Sequence, residues 1–146
     1  MAGPSEIRKI LVVDDDPAVR RALEIRLTNA GYQVVTASCG EDGLLACAPD
    51  PPHVVILDVT MPGMDGYEVC ERIRQSVDAP VTVIYLTGVT TNESSRKLDQ
   101  EIAESGGDYY MVKPYDPSLL IELVNQVIRD PMMEIGGDPA VTETRQ

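Results

Sequence analysis

Basic side chains are scarce in this chain of 146 residues: 12 lysines and arginines stand against 24 acids, for a formal net charge of −12. A nucleic-acid-binding surface needs a basic patch, so this balance argues against direct nucleic-acid binding. Cysteine is scarce as well. Cys39, Cys47 and Cys70 have neither metal-ligand nor Cys-x-x-Cys spacing and read as small, half-buried apolar residues in a reducing compartment. Histidine occurs once, at His53, just before the Val54 strand, and reads as a loop residue with no catalytic duty. No stretch approaches the ~20 apolar residues of a membrane span, and Met1 to Ile10 has no signal-peptide core. Together these absences lead to the expectation of a cytoplasmic protein with no membrane contact. What remains is 43% hydrophobic, an ordinary globular composition, with length for one domain that needs no disulfides.

The chain is organised around Val54 to Gly66. Val54 to Leu57 are continuously apolar, which suits a strand buried on both faces. The run ends at Asp58, and Pro62, Gly63 and Gly66 then impose a loop. Ligands of open α/β sheets bind at the carboxyl ends of the strands. An acid in that place is open to three roles: nucleophile, metal ligand, or cap of the next helix.

The same alternation recurs along the chain. Residues 1–8 read as an N-terminal tail. Lys9 to Val13 form a strand that ends in Asp14, Asp15 and Asp16, after which Pro17 opens a helix with Asp16 as N-cap. Gly31 stops that helix, and Tyr32 to Ala37 form a second strand. Ser38 and Glu41 have capping-box spacing before a short helix to about Ala48, and Asp65 and Glu68 repeat the spacing after the central loop. Val81 to Leu86 form a fourth strand ending at Thr87, followed by a helix from about Glu93 to Ser105. That helix has a narrow apolar stripe of Leu98 and Ile102. Tyr109 to Val112 form a fifth strand leading into Lys113-Pro114. Asp116 and Pro117 open a last helix with a broad apolar face, Leu119 to Ile128. Five strand–helix units of this length require parallel strands with helices on both faces, one α/β domain over 9–130. Residues 131–146, with Gly136, Gly137 and Pro139, read as a flexible C-terminal tail or linker.

Parallel strands bring their carboxyl ends to one edge. Asp14, Asp15, Asp58, Thr87 and Lys113 then converge. Three carboxylates about 5 Å apart repel by roughly 3 kcal/mol per pair at an effective dielectric of about 20. A divalent cation with oxygen ligands, Mg²⁺ or Mn²⁺, and the Lys113 ammonium would compensate. A carboxylate held in that way is prepared to attack phosphorus, with developing charge met by metal, lysine and the Thr87 hydroxyl.

The motifs Ile-Leu-Val-Val-Asp-Asp-Asp-Pro (10–17), Leu-Asp-Val-Thr-Met-Pro-Gly-Met-Asp-Gly (57–66), Leu-Thr-Gly (86–88) and Tyr-Tyr-Met-Val-Lys-Pro-Tyr (109–115) resemble those of a two-component response regulator receiver domain, CheY-like in extent. The resemblance implies a flavodoxin-like (βα)₅ doubly wound, five-stranded parallel sheet of order 2-1-3-4-5. It implies Asp58 as phosphoacceptor, Asp14 and Asp15 as Mg²⁺ ligands with the Thr60 backbone carbonyl, and Thr87 and Lys113 as partners of the phosphoryl group. Tyr110 matches the switch aromatic, which turns inward on activation, and the Lys113–Pro114 bond is expected to be cis. One departure is four extra residues between Thr87 and Lys113, around Val89 to Lys97.

The function implied is a phosphorylation-dependent signalling switch. It takes its phosphoryl group from a histidine kinase or histidine phosphotransfer protein and catalyses only its own phosphorylation and dephosphorylation. Output would reach a downstream protein, or a second copy, through the fourth helix, fifth strand and fifth helix. The chain is either a stand-alone regulator or the receiver of a larger regulator or hybrid kinase. A contrasting class is an aspartate-nucleophile phosphatase using Asp14 and Asp16, which would leave Asp58 and its loop unexplained. An unphosphorylated interaction module with this fold is a third, against which the complete acid set argues.

Overall fold

The computed structural model describes residues 7–88, 92–129 and 142–143, with side chains over 7–88 and 99–129. Its elements alternate as foreseen: β1 (Lys9–Val13), α1 (Pro17–Asn29), β2 (Gln33–Ala37), α2 (Gly40–Leu45), β3 (Val54–Asp58), α3 (Gly66–Ser76), β4 (Thr82–Thr87), α4 (Asn92–Ser105), β5 (Tyr109–Val112) and α5 (Pro117–Arg129). The five strands are parallel in the order 2-1-3-4-5. A two-residue strand, β6 (Thr142–Glu143), pairs antiparallel with β5 and makes the sheet six-stranded. The parallel five-stranded sheet is the one expected, and β6 is an addition at its edge; two residues carry no periodicity that could announce it. The rest of the tail expected over 131–146, residues 1–6 of the N-terminal tail, Val89, and the side chain of Leu98 lie outside the described residues.

Continuous apolar strands make two cores, one on each face. Leu11, Val13, Val55, Leu57, Val83 and Tyr85 pack under Val69, Cys70 and Ile73 of α3 and Ile102 of α4. The alternate residues Ile10, Val12, Val54, Ile56, Ile84 and Leu86 pack under Leu23 and Leu27 of α1 and Leu120, Leu123, Val124 and Val127 of α5. Side chains alternate across a strand, so a run without polar residues is the pattern a doubly covered sheet demands.

Local signals set the starts of α1, α3 and α5. The Asp16 carboxylate accepts from the Ala18 amide at 2.9 Å, Asp65 from Glu68 at 2.9 Å and Asp116 from Ser118 at 2.9 Å. The capping box expected at Ser38 does not form. Cys39 stands at the N-cap of α2 without a side-chain capping bond, and the helix ends at Leu45, short of Ala48. Packing decides instead: a Cβ at Gly40 would meet Val69 Cγ2 at 2.7 Å, and one at Gly43 would meet Val13 Cγ2 at 2.9 Å. Close seating of α2 on the core thus fixes its start more firmly than one capping bond could. The Lys113–Pro114 bond is cis as the resemblance implies, and so is Ala48–Pro49.

The register prepares the site. Val13 lies opposite Leu57, Asp58 opposite Leu86, and Thr87 opposite Val112. Asp14, Asp58, Thr87 and Lys113 therefore leave the sheet at one edge. Gly66 closes the loop after Asp58: its amide donates to the Val59 carbonyl at 2.9 Å. A Cβ there would lie 2.4 Å from the Asp58 carbonyl oxygen and 2.9 Å from Val59 Cα. Backbone cannot yield as a side-chain tip does, so Gly66→Ala should destabilise the protein by about 1–3 kcal/mol. Urea unfolding should show a lower midpoint at unchanged slope, and an unchanged midpoint would refute this.

Candidate functional site

Asp14 continues β1 by one residue, its amide donating to the Ala37 carbonyl at 3.1 Å. Only 1% of it is exposed. Oδ1 accepts from the Asp16 amide at 2.9 Å, while Oδ2 is buried with no hydrogen-bond partner. Asp58, 4% exposed, ends β3. Its Oδ1 accepts from the Thr60 amide at 3.3 Å and from Lys113 Nζ at 3.1 Å. The same ammonium stands 3.8 Å from Asp14 Oδ2. Thr87 is 1% exposed at the end of β4, and its carbonyl accepts from the Lys113 amide at 2.6 Å, tying β4 to the lysine. Asp15 is exposed, yet one oxygen each from Asp14, Asp15 and Asp58 lie within 4.8 Å of one another. Every site residue expected at the sheet edge is therefore there. Thr60 is placed by its amide in the loop beside Asp58.

The electrostatics match the geometry. Burial pushes the Asp58 carboxyl above its ordinary range and the charge of Asp14 adds to the push, against the pull of Lys113 and the Thr60 amide. Burial likewise raises Asp14, opposed by the Asp16 amide and Lys113. The cluster of three carboxylates thus has one ammonium beside it, within 4 Å of Asp14 and Asp58. The donor set is all oxygen and compact, and one buried oxygen, Asp14 Oδ2, accepts no hydrogen bond. It fits a hard divalent cation such as Mg²⁺ or Mn²⁺.

Three neighbours were not foreseen. Tyr115 stands close enough to Asp14 and Asp58 that, after burial, their charges help push its hydroxyl up to about 12. Arg20 Nη1 donates to the Asp14 carbonyl at 2.7 Å. Asp99 of α4 accepts from the hydroxyl of Tyr110, whose residue is 3% exposed, at 2.8 Å. Only the position of Tyr115, two residues past Lys113, carried any signal. His53 is structural: its Nδ1 accepts from the Lys9 amide at 3.1 Å. A groove of about 660 Å³ between α3 and α4, lined by Asp65, Tyr67, Glu68 and Glu101 among others, lies apart from the constellation.

The family model described as response regulator receiver domain matches residues 10–125. The chain belongs to that family. It is 42% identical over 121 residues to the "Probable transcriptional regulator ycf27" of Pyropia yezoensis, covering 83% of this chain and 47% of the relative. It is 38% identical over 123 residues to the transcriptional regulatory protein AfsQ1 of Streptomyces coelicolor, covering 82% and 51%. Among solved structures, chemotaxis protein CheY4 of Vibrio cholerae matches at a TM-score of 0.74 and 32% identity, covering 84% of this chain and 99% of that one. The chain spans about half the length of the curated relatives it matches. As a receiver domain of two-component response regulators it is a signalling domain, of the class that works with histidine kinases. Among the described residues, no helix is long and apolar enough to cross a membrane.

Proposed function

We propose that Asp58 accepts a phosphoryl group from a phosphohistidine of a histidine kinase or histidine phosphotransfer protein. The observation that carries this reading is the meeting of three carboxylates within 4.8 Å with Lys113 Nζ 3.1 Å from Asp58. An Asp58 carboxylate oxygen attacks phosphorus, forming an O–P bond as the N–P bond breaks, and the imidazole nitrogen leaves with the electron pair. Mg²⁺, or Mn²⁺, held by Asp14, Asp15, Asp58 and the Thr60 backbone carbonyl, would supply positive charge to the phosphoryl oxygens. Lys113 pairs with one of those oxygens and the Thr87 hydroxyl bonds another, so charge that develops in transfer meets fixed donors. The domain catalyses only its own phosphorylation and dephosphorylation. Asp16 is occupied as the cap of α1, which disfavours its use as the acid–base of a phosphatase.

The signal leaves through α4, β5 and α5, to a protein partner or a second copy, in the cytoplasm. Because the curated relatives are named as transcriptional regulators and the match covers only about half of each, a receiver within a longer regulator is the reading favoured over a stand-alone one. Any nucleic-acid contact would then belong to the remainder, not to this acidic domain. Incubation with acetyl phosphate and Mg²⁺ tests the chemistry. Mass spectrometry should find one base-labile phosphoryl group at Asp58, absent in Asp58→Asn and suppressed by chelation. Undiminished uptake by Asp58→Asn would overturn the assignment.

A further inference from the structure

The three acids of the site are not held equally. Asp14 is fixed by the Asp16 amide, and Asp58 by the Thr60 amide and Lys113. Asp15 is exposed, and no hydrogen bond or ion pair among the described residues holds its carboxylate. Where its side chain starts is set by the backbone, through the peptide that joins Asp14 to Asp15. The carbonyl of that peptide accepts from Arg20 Nη1 at 2.7 Å, across the turn that leads into α1.

Arg20 is an unexpected residue in this place. It lies in the first turn of α1, where the helix macrodipole disfavours a cation. Acids surround it in sequence at Asp14, Asp15, Asp16 and Glu24, and its neighbour Arg21 faces Glu24 at 3.6 Å. Arg20 makes no ion pair among the described residues and donates to a backbone carbonyl instead. Its own amide donates to the Asp16 carbonyl at 3.1 Å, so the side chain folds back over the turn from a fixed root.

We infer that Arg20 is a positioning residue for the metal site: by holding the Asp14–Asp15 peptide, it keeps the Asp15 carboxylate within ligand distance of the cation. The inference rests on the metal-site reading above. A residue acting only through its charge would have the opposite effect, because a cation beside a metal site repels the metal. The two accounts therefore predict opposite signs when the guanidinium is removed.

The test is Mg²⁺ binding to the unphosphorylated protein, followed by titration calorimetry without any phosphodonor. Arg20→Met keeps the stem and removes the donor; Arg20→Lys keeps the charge and one donor group. Loss of a group that orients a ligand costs roughly tenfold or more in metal affinity. Arg20→Met should bind Mg²⁺ about tenfold more weakly at an unchanged stoichiometry, and Arg20→Lys should recover part of the loss. The amide resonances of Asp15 and Asp16 should broaden or move in the metal-free Arg20→Met protein. Equal or tighter Mg²⁺ binding by Arg20→Met overturns the positioning role alone. A wild-type protein that binds no Mg²⁺ overturns the metal site and this role with it.

Discussion

Without metal, the Asp14→Asn protein should unfold at a higher temperature than the wild type. Asp14 Oδ2 is a buried carboxylate oxygen without a hydrogen-bond partner, beside the like charges of Asp15 and Asp58. An asparagine keeps the oxygen that accepts from the Asp16 amide and can turn an NH₂ toward Asp58. Relief of one unsatisfied buried polar group is worth about 1–3 kcal/mol, or roughly 5 °C for a domain of this size. Mg²⁺ should invert the order. At a hundred times its dissociation constant, a ligand of the folded state adds about 2.7 kcal/mol, and the variant, lacking a ligand, should gain little. Scanning calorimetry with and without Mg²⁺ checks both halves. A metal-free variant that melts below the wild type would show that Asp14 is compensated within the protein and needs no cation.

The pH dependence of stability has the same origin. Asp14 and Asp58 both have carboxyls raised above the ordinary 3.8 on folding. A raised group binds its proton more tightly in the folded state, so its contribution to stability is fully present below the unfolded value and is lost as pH rises through the folded one. The metal-free wild type should therefore lose stability relative to Asp14→Asn as pH rises from the ordinary carboxylate value through the raised folded ones. Saturating Mg²⁺, which competes with those protons, should reverse that trend. Urea midpoints of the two proteins across that range give the comparison.

The expected site was legible because strand ends are. A buried parallel strand must be apolar throughout, so the first charged residue after it marks the sheet edge without knowledge of the fold. Asp14 after Val13, Asp58 after Leu57 and Lys113 after Val112 are read in that way, and the parallel register then brings them together. The ends of helix α2 are not legible in the sequence because they depend on what Gly40 and Gly43 touch, Val69 and Val13, which are distant in sequence. The Ser38 capping signal is local and weaker than that packing. Arg20 and Asp99 carried no signal for a related reason. Each sits on the polar side of a helical pattern, and only the folded chain shows that one reaches a backbone carbonyl and the other a buried tyrosine. β6 was invisible because pairing of two residues depends on an open edge of β5, not on their identity.

Tyr110→Phe should weaken the binding of a beryllofluoride phosphoryl mimic by about tenfold while leaving Asp58 and its metal ligands in place. The Tyr110 hydroxyl is buried and donates to the Asp99 carboxylate at 2.8 Å, joining β5 to α4. A hydrogen bond to a charged group contributes about 1.5–3 kcal/mol net. On the proposed reading of Tyr110 as the family's switch aromatic, which turns inward on activation, this bond would belong to the arrangement that phosphorylation favours. Taking a switch from 1:99 to 99:1 needs about 5.5 kcal/mol of differential binding. Bonds from the phosphoryl group to Lys113 and Thr87 would supply part of that, and the Asp99 bond biases the same equilibrium from the other side. Coupling between two sites is reciprocal, so loss of the bond must weaken the mimic by the factor it shifts the switch. Asp99→Asn, which keeps an acceptor, should lie between the wild type and Tyr110→Phe. Backbone NMR titration with the mimic reads affinity and location together. Wild-type shifts should extend from the metal-site loops to residues 99–105 of α4 and to β5. Equal mimic affinity in Tyr110→Phe, or wild-type shifts confined to the loops around Asp14 and Asp58, would place the output path on another face of the domain.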